Sequence, residues 1–248
     1  MKKLSFEKAP PASTPAHLVP PIIFEDQHVI VIDKPAGLLS QGEHRGDPNV
    51  VDWLRILLNR PFVGLVHRLD RNTSGIMVIA KRSKSAQRLT DALQEGQMRR
   101  SYLAWIYGRL EREVRWSHRL FKDTTKNIVR VVSHAHPQGK DAALTVRPDA
   151  YGVWSGSLLT LAHFELETGR SHQIRVQAAH EGYGILGDLK YGGTQSGIQE
   201  FSRPALHSFE LSFPHPISGE VMTFQAPLPK DMADIQKTGE ARILSETK

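Results

Sequence analysis

Short strand-forming segments follow one another through the second half of this 248-residue chain. The segments span residues 101–107, 127–133, 141–149, 157–166, 205–213 and 220–225. One helix interrupts them, from about Ser171 to His180. Runs of strands with few helices predict an α+β fold whose sheet is mixed and mostly antiparallel, with flanking helices.

The first half of the chain adds two strands and two helices to this pattern. Val29–Ile32 and Ile76–Ala80 are unbroken apolar runs of strand length, which predicts strands buried on both faces. Asn49 is placed to cap one helix, and Ser83 is placed to cap another. Short polar side chains suit these positions because they accept hydrogen bonds from the first free N–H groups of a helix.

The two ends of the chain differ in composition from the part between them. Residues 1–21 contain five prolines and few large apolar residues, which predicts a Pro-rich N-terminal tail without regular structure. No linker sequence divides residues 22–229, so we expect one domain there. Residues 230–248 are polar and are expected to form a separate C-terminal segment.

The sequence contains no cysteine. This excludes a disulfide scaffold, a thiolate zinc site, an iron–sulfur cluster and a cysteine nucleophile. The apolar runs are too short to cross a membrane, and no apolar stretch of the kind a signal peptide needs follows the N-terminus. We therefore expect a cytoplasmic protein without a membrane partner.

Positive charge is concentrated in one part of the sequence. The formal net charge is +6, but residues 81–130 alone contain 13 Lys and Arg against 5 Asp and Glu. Such a surplus suits a polyanion, because a protein that neutralises phosphates releases their counterions. A solvated basic surface has the same composition, so charge alone leaves both interpretations open.

A predicted loop between two apolar runs carries the most informative motif, which extends from His67 to Gly75. Its only acid, Asp70, has Arg68 and Arg71 as neighbours, and nearby cations favour the carboxylate form. An ionised carboxylate held in place can act as a nucleophile or as a base. A turn stabilised by salt bridges has the same residues, so the motif alone does not decide between the two.

Two further stretches place arginines where an anion or a base would bind. The turn Thr168-Gly169-Arg170 precedes the predicted helix that carries Arg175, and both a helix start and an arginine suit a carboxylate or a phosphate. Tyr102 follows two arginines, which suits stacking on a base. The alternatives are an amphipathic helix with solvated arginines and a half-buried strand tyrosine.

In order and spacing these motifs resemble the RluA-type pseudouridine synthases, and the resemblance extends over most of residues 22–229. The matching segments are 31–38 (VIDKPAGL), 67–75 (HRLDRNTSG), 100–104 (RSYLA), 139–142 (GKDA), 168–176 (TGRSHQIRV), 187–192 (GDLKYG), 204–207 (PALH) and 215–220 (HPISGE). Asp33, Arg100 and Gln177 stand where the family usually has Asn, Lys and His.

The resemblance implies that Asp70, Tyr102 and Arg175 are the catalytic residues. Asp70 matches the catalytic aspartate, and Tyr102 matches the tyrosine that packs on the target uracil. Arg175 matches the arginine that pairs with the catalytic carboxylate. We therefore predict that Asp70 lies within ion-pair distance of Arg175 and that Tyr102 faces the same cleft.

The resemblance also implies a set of substrate-binding residues. Arg68 matches the residue that helps to hold the flipped-out nucleotide, and Ile174 is expected to form an apolar wall of the pocket. His67, Thr73 and Arg170 lie in the same motifs and complete the predicted set.

The fold and activity implied by the resemblance are those of an RNA pseudouridine synthase with a central active-site cleft. Such an isomerase converts specific uridines of structured RNA, either tRNA or rRNA, after flipping the nucleotide out. The reaction exchanges the C1′–N1 bond for a C1′–C5 bond and oxidises nothing, so we expect no cofactor and no metal. We also expect a monomer without a required protein partner. We expect no S4-like RNA-binding domain of the kind that many relatives carry, because a tail of about twenty residues is too short for one.

Two other functions remain as alternatives. One is a catalytically inactive RNA-binding module of the same fold. The other is a hydrolase with Asp70 as its nucleophile, which usually needs a metal-binding acid cluster or a second carboxylate. Residues 60–80 contain only one acid, which argues against the hydrolase.

Overall fold

The computed structural model describes residues 14–44, 46–192 and 201–237. Residues 236 and 237 are described by their backbone only. Two compact units divide the chain. The first unit comprises residues up to 97 together with 213–224. The second unit comprises residues 98–212 together with those from 225 onward.

The described residues form strands and helices in an order that is typical of an α+β protein. After a short 3₁₀ helix (Ala16–Leu18), the elements are β1 (Ile22–Glu25), β2 (Val29–Lys34), α1 (Val50–Leu58), β3 (Gly64–Leu65), β4 (Ser74–Ala80), α2 (Ser83–Gln94), β5 (Arg99–Tyr107), β6 (Val114–Asp123), β7 (Ile128–Val132), β8 (Lys140–Trp154), β9 (Ser157–Leu166), α3 (Gln173–His180), β10 (Leu206–Pro214), β11 (Val221–Gln225), α4 (Lys230–Ala233) and β12 (Gln236–Lys237). The predicted α+β class with mostly antiparallel strand pairing is confirmed.

The core of the first unit is formed by β2 and β4. These strands pair antiparallel from Val29 opposite Ala80 to Lys34 opposite Gly75, and β1 and β3 extend the pairing. The apolar run of β2 is completely buried, as is that of β4. Each fully buried Val or Ile stabilises the fold by about 1.5–3 kcal/mol. The two buried strands expected from the sequence are therefore confirmed.

The helices of the first unit begin close to where the sequence predicts. The side chain of Asn49 accepts a hydrogen bond from the Asp52 N–H at 2.9 Å, which confirms it as the cap of α1. The cap of α2 is Arg82, so the expectation of Ser83 was wrong by one residue. The extended backbone of Arg82 makes Ser83 the first helical residue.

The second unit is an antiparallel sheet with the strand order β10-β5-β9-β8-β6-β7, and β12 pairs with β8. Ser155 and Gly156 join β8 to β9 as a two-residue turn, and both have a positive φ, as such hairpins require. The strand β6 was not predicted. Its buried residues Trp116 and Leu120 are separated by charged and polar ones, which hides the strand pattern.

The helix α3 begins later than the sequence predicts. It starts at Gln173 rather than near Ser171, because His172 adopts a left-handed backbone conformation with φ of 53°. Gln177 holds α3 to the sheet: its side-chain amide donates to His118 Nδ1 at 2.9 Å and to the Ala142 carbonyl at 3.3 Å.

The predicted terminal segments fall only partly within the described residues. Residues 1–13 and 238–248 lie outside them. The remainder of the expected tail contains the 3₁₀ helix, and the remainder of the expected C-terminal segment contains α4 and β12.

Candidate active site

Asp70 lies on the loop that connects β3 to β4, here called the Asp70 loop (residues 66–73). The Ser40 hydroxyl donates to the Leu69 carbonyl at 2.7 Å and accepts from the Leu69 N–H at 3.1 Å. On the other side, the Thr73 N–H donates to the Asp70 carbonyl at 3.1 Å and closes a tight turn. The backbone is therefore held on both sides of the Asp70 carboxyl.

Lys34 braces the Asp70 loop from inside the protein. Its side chain is 0% exposed, and its ammonium group donates to the carbonyls of Pro35, Leu38 and Arg71 at 3.0, 2.8 and 3.1 Å. The Arg71 carbonyl also accepts from the Gly37 N–H at 2.8 Å. A buried ammonium group needs such acceptors, because an unpaired charge inside a protein is costly. Sequence reasoning did not assign this role; the available signal was a lysine at the end of a fully buried strand.

The predicted substrate-binding residues of the first unit differ in their surroundings. Arg68 is exposed beside the half-buried Asp70. His67 and Thr73 are buried, and His67 Nε2 accepts a hydrogen bond from the Val78 N–H at 3.2 Å. Arg68 is thus open to solvent, whereas His67 anchors the loop to β4.

Tyr102 lies in the interior of the second unit, on β5. It is buried and stands opposite Phe164 of β9 and Ser208 of β10. Strands on both sides therefore fix the backbone that carries the phenol ring.

Arg175 is held by a buried carboxylate of the same unit. Its Nε lies 2.7 Å from Asp188 Oδ2, and its Nη2 lies 2.8 Å from Asp188 Oδ1. Asp188 is 1% exposed, so this two-point ion pair is shielded from water. The pairing fixes the plane of the guanidinium group. Ile174, the predicted apolar wall, is buried next to Arg175 in the chain.

Tyr191 supports Arg175 from a second direction. The Arg175 guanidinium carbon lies 5.1 Å from the centre of the Tyr191 ring, within the range of a cation–π contact. The Tyr191 hydroxyl accepts from the Val129 N–H at 3.1 Å and lies 2.6 Å from His172 Nδ1.

A hydrogen-bonded turn carries Arg170 in front of α3. The Gln173 side-chain oxygen accepts from the Thr168 hydroxyl at 2.8 Å and from the Arg170 N–H at 2.9 Å. The Thr168 hydroxyl oxygen in turn accepts from the Ala143 N–H at 3.0 Å. Arg170 itself is exposed, and its Nε donates to the Asp141 carbonyl at 2.9 Å. The turn thus presents Arg170 to solvent.

Gly169 lies directly beneath the guanidinium group of Arg100. A Cβ at this position would lie 2.6 Å from an Arg100 guanidinium nitrogen. The absence of a side chain therefore lets Arg100 pack over the turn. Arg100 stands where the related family usually has Lys.

The three predicted catalytic residues belong to different units. Asp70 is part of the first unit, and Tyr102 and Arg175 are part of the second. The expected approach of Asp70 to Arg175 stays a prediction. In the described residues, no group of three or more His, Asp or Glu side chains is placed to hold a metal ion. No helix within the described ranges is both long and apolar enough to span a membrane.

Proteins of one family are similar to this chain in sequence and in fold. A family profile described as RNA pseudouridylate synthase matches residues 28–180. The chain is 34% identical over 235 residues to ribosomal large subunit pseudouridine synthase D of Nitrosomonas europaea, a match that covers 86% of this chain and 63% of that protein. It is 36% identical over 229 residues to the uncharacterized RNA pseudouridine synthase YjbO of Bacillus subtilis, with coverages of 87% and 75%. The solved structure of human RNA pseudouridylate synthase domain containing 1 has the same fold, with a TM-score of 0.75, 23% identity and 91% coverage of both chains.

Proposed function

This chain belongs to the RNA pseudouridylate synthase family, and we propose that it converts uridines of large-subunit ribosomal RNA to pseudouridine. The family resemblance and the isomerase class expected from the sequence are confirmed. The matched region includes Asp70, Tyr102 and Arg175. The choice of ribosomal RNA follows the names of the similar bacterial proteins. Transfer RNA is the alternative substrate.

The observation that carries this proposal is the restraint on the Asp70 loop. Ser40 holds the residue before Asp70, and the buried Lys34 holds the residue after it. A loop held this closely presents one carboxyl in a fixed position, which is what an attack on a sugar or base carbon requires.

The reaction needs a nucleophile and a site for proton transfer. The C1′–N1 bond of the uridine breaks, the uracil turns, C1′ bonds to C5, and the proton on C5 is exchanged for one on N1. The Asp70 carboxylate attacks C1′ or C6, or it stabilises a ribosyl cation. Tyr102 packs on the uracil while it turns and takes part in removing the C5 proton. Atoms and electrons balance without an external oxidant or reductant.

Arg175 keeps the site ready for an anionic group. Its ion pair with Asp188 and its contact with Tyr191 fix the guanidinium plane before any substrate binds. A preorganised arginine favours the charged form of a carboxylate brought next to it. The family resemblance implies that Asp70 is that carboxylate. Arg68 and Arg170, both exposed, then contact phosphates of the flipped nucleotide.

The test compares Asp70→Asn with Asp91→Asn, a control at a partly exposed position of α2 that removes the same charge. Both proteins and the wild type are incubated with large-subunit ribosomal RNA and with bulk tRNA, and pseudouridine is mapped at each position. We expect new sites in ribosomal RNA with the wild type and with Asp91→Asn. Asp70→Asn is expected to be slower by roughly 10³-fold or more.

Four results would contradict the proposal in different ways. Wild-type turnover by Asp70→Asn would remove that carboxylate from the mechanism. Release of free uracil would indicate the hydrolase instead. Pseudouridines formed only in tRNA would reject the ribosomal substrate but would still support the pseudouridine synthase activity. RNA binding by the wild type without any pseudouridine would indicate the inactive module.

A further inference from the structure

The first unit contains a second concave site, here called the basic cavity, which has a volume of about 570 Å³. Four separate chain segments form its walls: the turn before β2, which contributes His28, the loop after α1, the start of α2 with the two residues before it, and the turn between β10 and β11. None of the lining residues belongs to the Asp70 loop. The volume lies within the ~300–1,000 Å³ of small-ligand sites, which suits one nucleotide rather than a duplex.

Positive charge dominates the walls of the basic cavity. Arg60, Arg82 and Lys84 line it and are all exposed. Within the described part of the chain, none of these three side chains forms an ion pair. Lys81 also lines the cavity, but Glu25 at 2.5 Å neutralises it. Three cations without acidic partners therefore point toward one space and favour an anion there.

Apolar side chains share this space with the cations. Phe62 is 40% exposed and Ile217 is 49% exposed, and both line the cavity. An inorganic anion gains nothing from an exposed phenyl ring. An unpaired nucleotide does, because its base can stack on the ring while its phosphate meets the cations.

The loop that carries Arg60 and Phe62 is fixed against α2. Asn59 ends α1 in a left-handed conformation with φ of 49°, which turns the chain sharply after the helix. Two residues after Phe62, a Cβ on Gly64 would lie only 2.7 Å from the Ala86 Cβ. The missing side chain thus allows β3 to lie directly against α2.

The opposite wall is held by a hydrogen bond from α2. Arg88 Nη1 donates to the Pro216 carbonyl at 2.6 Å and fixes the residue before Ile217. His215, at the start of the same turn, bonds to Asp26 through Nε2 at 2.8 Å. These contacts give the HPISG motif a structural role, because they fix the backbone that forms this wall of the cavity.

We propose that the basic cavity binds an unpaired nucleotide of the RNA substrate other than the target uridine. Its phosphate lies among Arg60, Arg82 and Lys84, and its base packs on Phe62. This inference rests on the proposed function, since it presupposes an RNA substrate. The start of α2 adds N–H groups to the same wall, but the side chains supply most of the charge.

The first test removes the charge without removing the fold. Arg82→Ser with Lys84→Gln leaves a serine at the cap of α2, which is a better helix cap than arginine, so the variant is expected to be at least as stable as the wild type. Lys230→Gln is the control, because Lys230 is 87% exposed and lies in the second unit. The probe is a fluorescein-labelled 12-nucleotide oligouridylate, followed by anisotropy over a range of salt concentrations.

We expect the double variant to lower the slope of log Kd against log salt by roughly 1–2, one unit for each lost phosphate contact. Phe62→Ala is expected to raise Kd roughly 5-fold or more, because a base loses its stacking partner. The effect of Phe62→Ala should disappear with an abasic oligonucleotide of the same length. At saturating RNA, kcat for pseudouridine formation should stay near the wild-type value in all of these variants.

Several outcomes would overturn the inference. A wild-type salt slope in the double variant, or an equal loss in Lys230→Gln, would exclude a specific role of the cavity. Wild-type affinity in Phe62→Ala would exclude a bound base. Displacement of the oligouridylate by polyglutamate at equal charge would indicate an acidic polypeptide instead. Absence of pseudouridine with the wild type would reject the proposed function, while the binding slopes would still test the cavity.

Discussion

His207 makes the stability of this protein depend on pH in a way that can be calculated. It lies on β10, is 1% exposed, and its Nε2 donates to the Ala226 carbonyl at 3.3 Å. Burial and the nearby Arg203 charge lower the pKa of His207 from 6.5 to about 4, although the hydrogen bond to Ala226 and the Asp231 charge oppose this shift. The folded protein therefore holds this imidazole neutral at a pH where the unfolded chain protonates it.

The sign and the size follow from these two pKa values. A folded pKa below the unfolded one means that stability is fully present above pH 6.5 and is lost as the pH falls from 6.5 toward 4. At pH 5 the unfolded chain gains about 2 kcal/mol from protonating this one side chain. For a protein of this size that lowers Tm by roughly 4–8 °C.

The variant His207→Gln isolates this contribution. Glutamine keeps an N–H donor for Ala226 and carries no charge at either pH. Urea unfolding of both proteins is followed by tryptophan fluorescence at pH 7 and pH 5. Between the two, the free energy of unfolding of the wild type should fall by about 2 kcal/mol more than that of the variant.

The difference between the two proteins matters because other histidines also titrate. Burial lowers the pKa of His118 and of His163, and both remain in the variant. His44→Gln, at an exposed position, is the control and should lose as much stability as the wild type. Equal losses in the wild type and in His207→Gln would refute the reasoning, because they would show that His207 is not held neutral by the fold.

Two further predictions concern carboxylates. Asp188→Asn removes the charge that orients Arg175, so kcat for pseudouridine formation should fall about 10²-fold with little change in KM. The free energy of unfolding should also fall by about 3–5 kcal/mol. A changed KM with an unchanged kcat, measured well below Tm, would contradict this reasoning. Burial raises the pKa of Asp33 and outweighs the opposing charge of Lys34. Above that raised pKa the buried carboxylate lowers the free energy of unfolding, and below the unfolded value of 3.8 this loss of stability disappears. Asp33→Asn, which introduces the residue usual in the family, should therefore raise Tm at pH 7 and lose that advantage at pH 3, and a Tm that is lower at pH 7 would contradict the reasoning.

Local signals predicted the parts of the fold that depend on neighbouring residues. The unbroken apolar runs predicted β2 and β4, and Asn49 predicted the start of α1, because burial on both faces and helix capping act over a few residues. The strand β6 was missed, since its buried residues are spaced among charges. The start of α3 was misplaced, because the left-handed conformation of His172 depends on the turn around it.

The candidate site divides in the same way. The motif from His67 to Gly75 singled out Asp70 from the sequence, and the order of the motifs identified the family. Neither indicated that Lys34 lies beneath the Asp70 loop or that Asp188 orients Arg175. These partners come from different motifs, and a match of motifs says which residues recur but not which of them touch.

By itself, the sequence determined the strand-rich class, the absence of thiol chemistry, the basic character and the loop that carries the acid. Only the tertiary structure decided which distant groups meet: an ammonium group under a loop, a carboxylate behind an arginine, and a cavity built from four segments. The physical reason is range. Strand burial patterns and helix caps depend on residues a few positions apart in the sequence. A hydrogen bond between remote residues, or a cavity lined by them, depends on the whole path that the backbone follows between them.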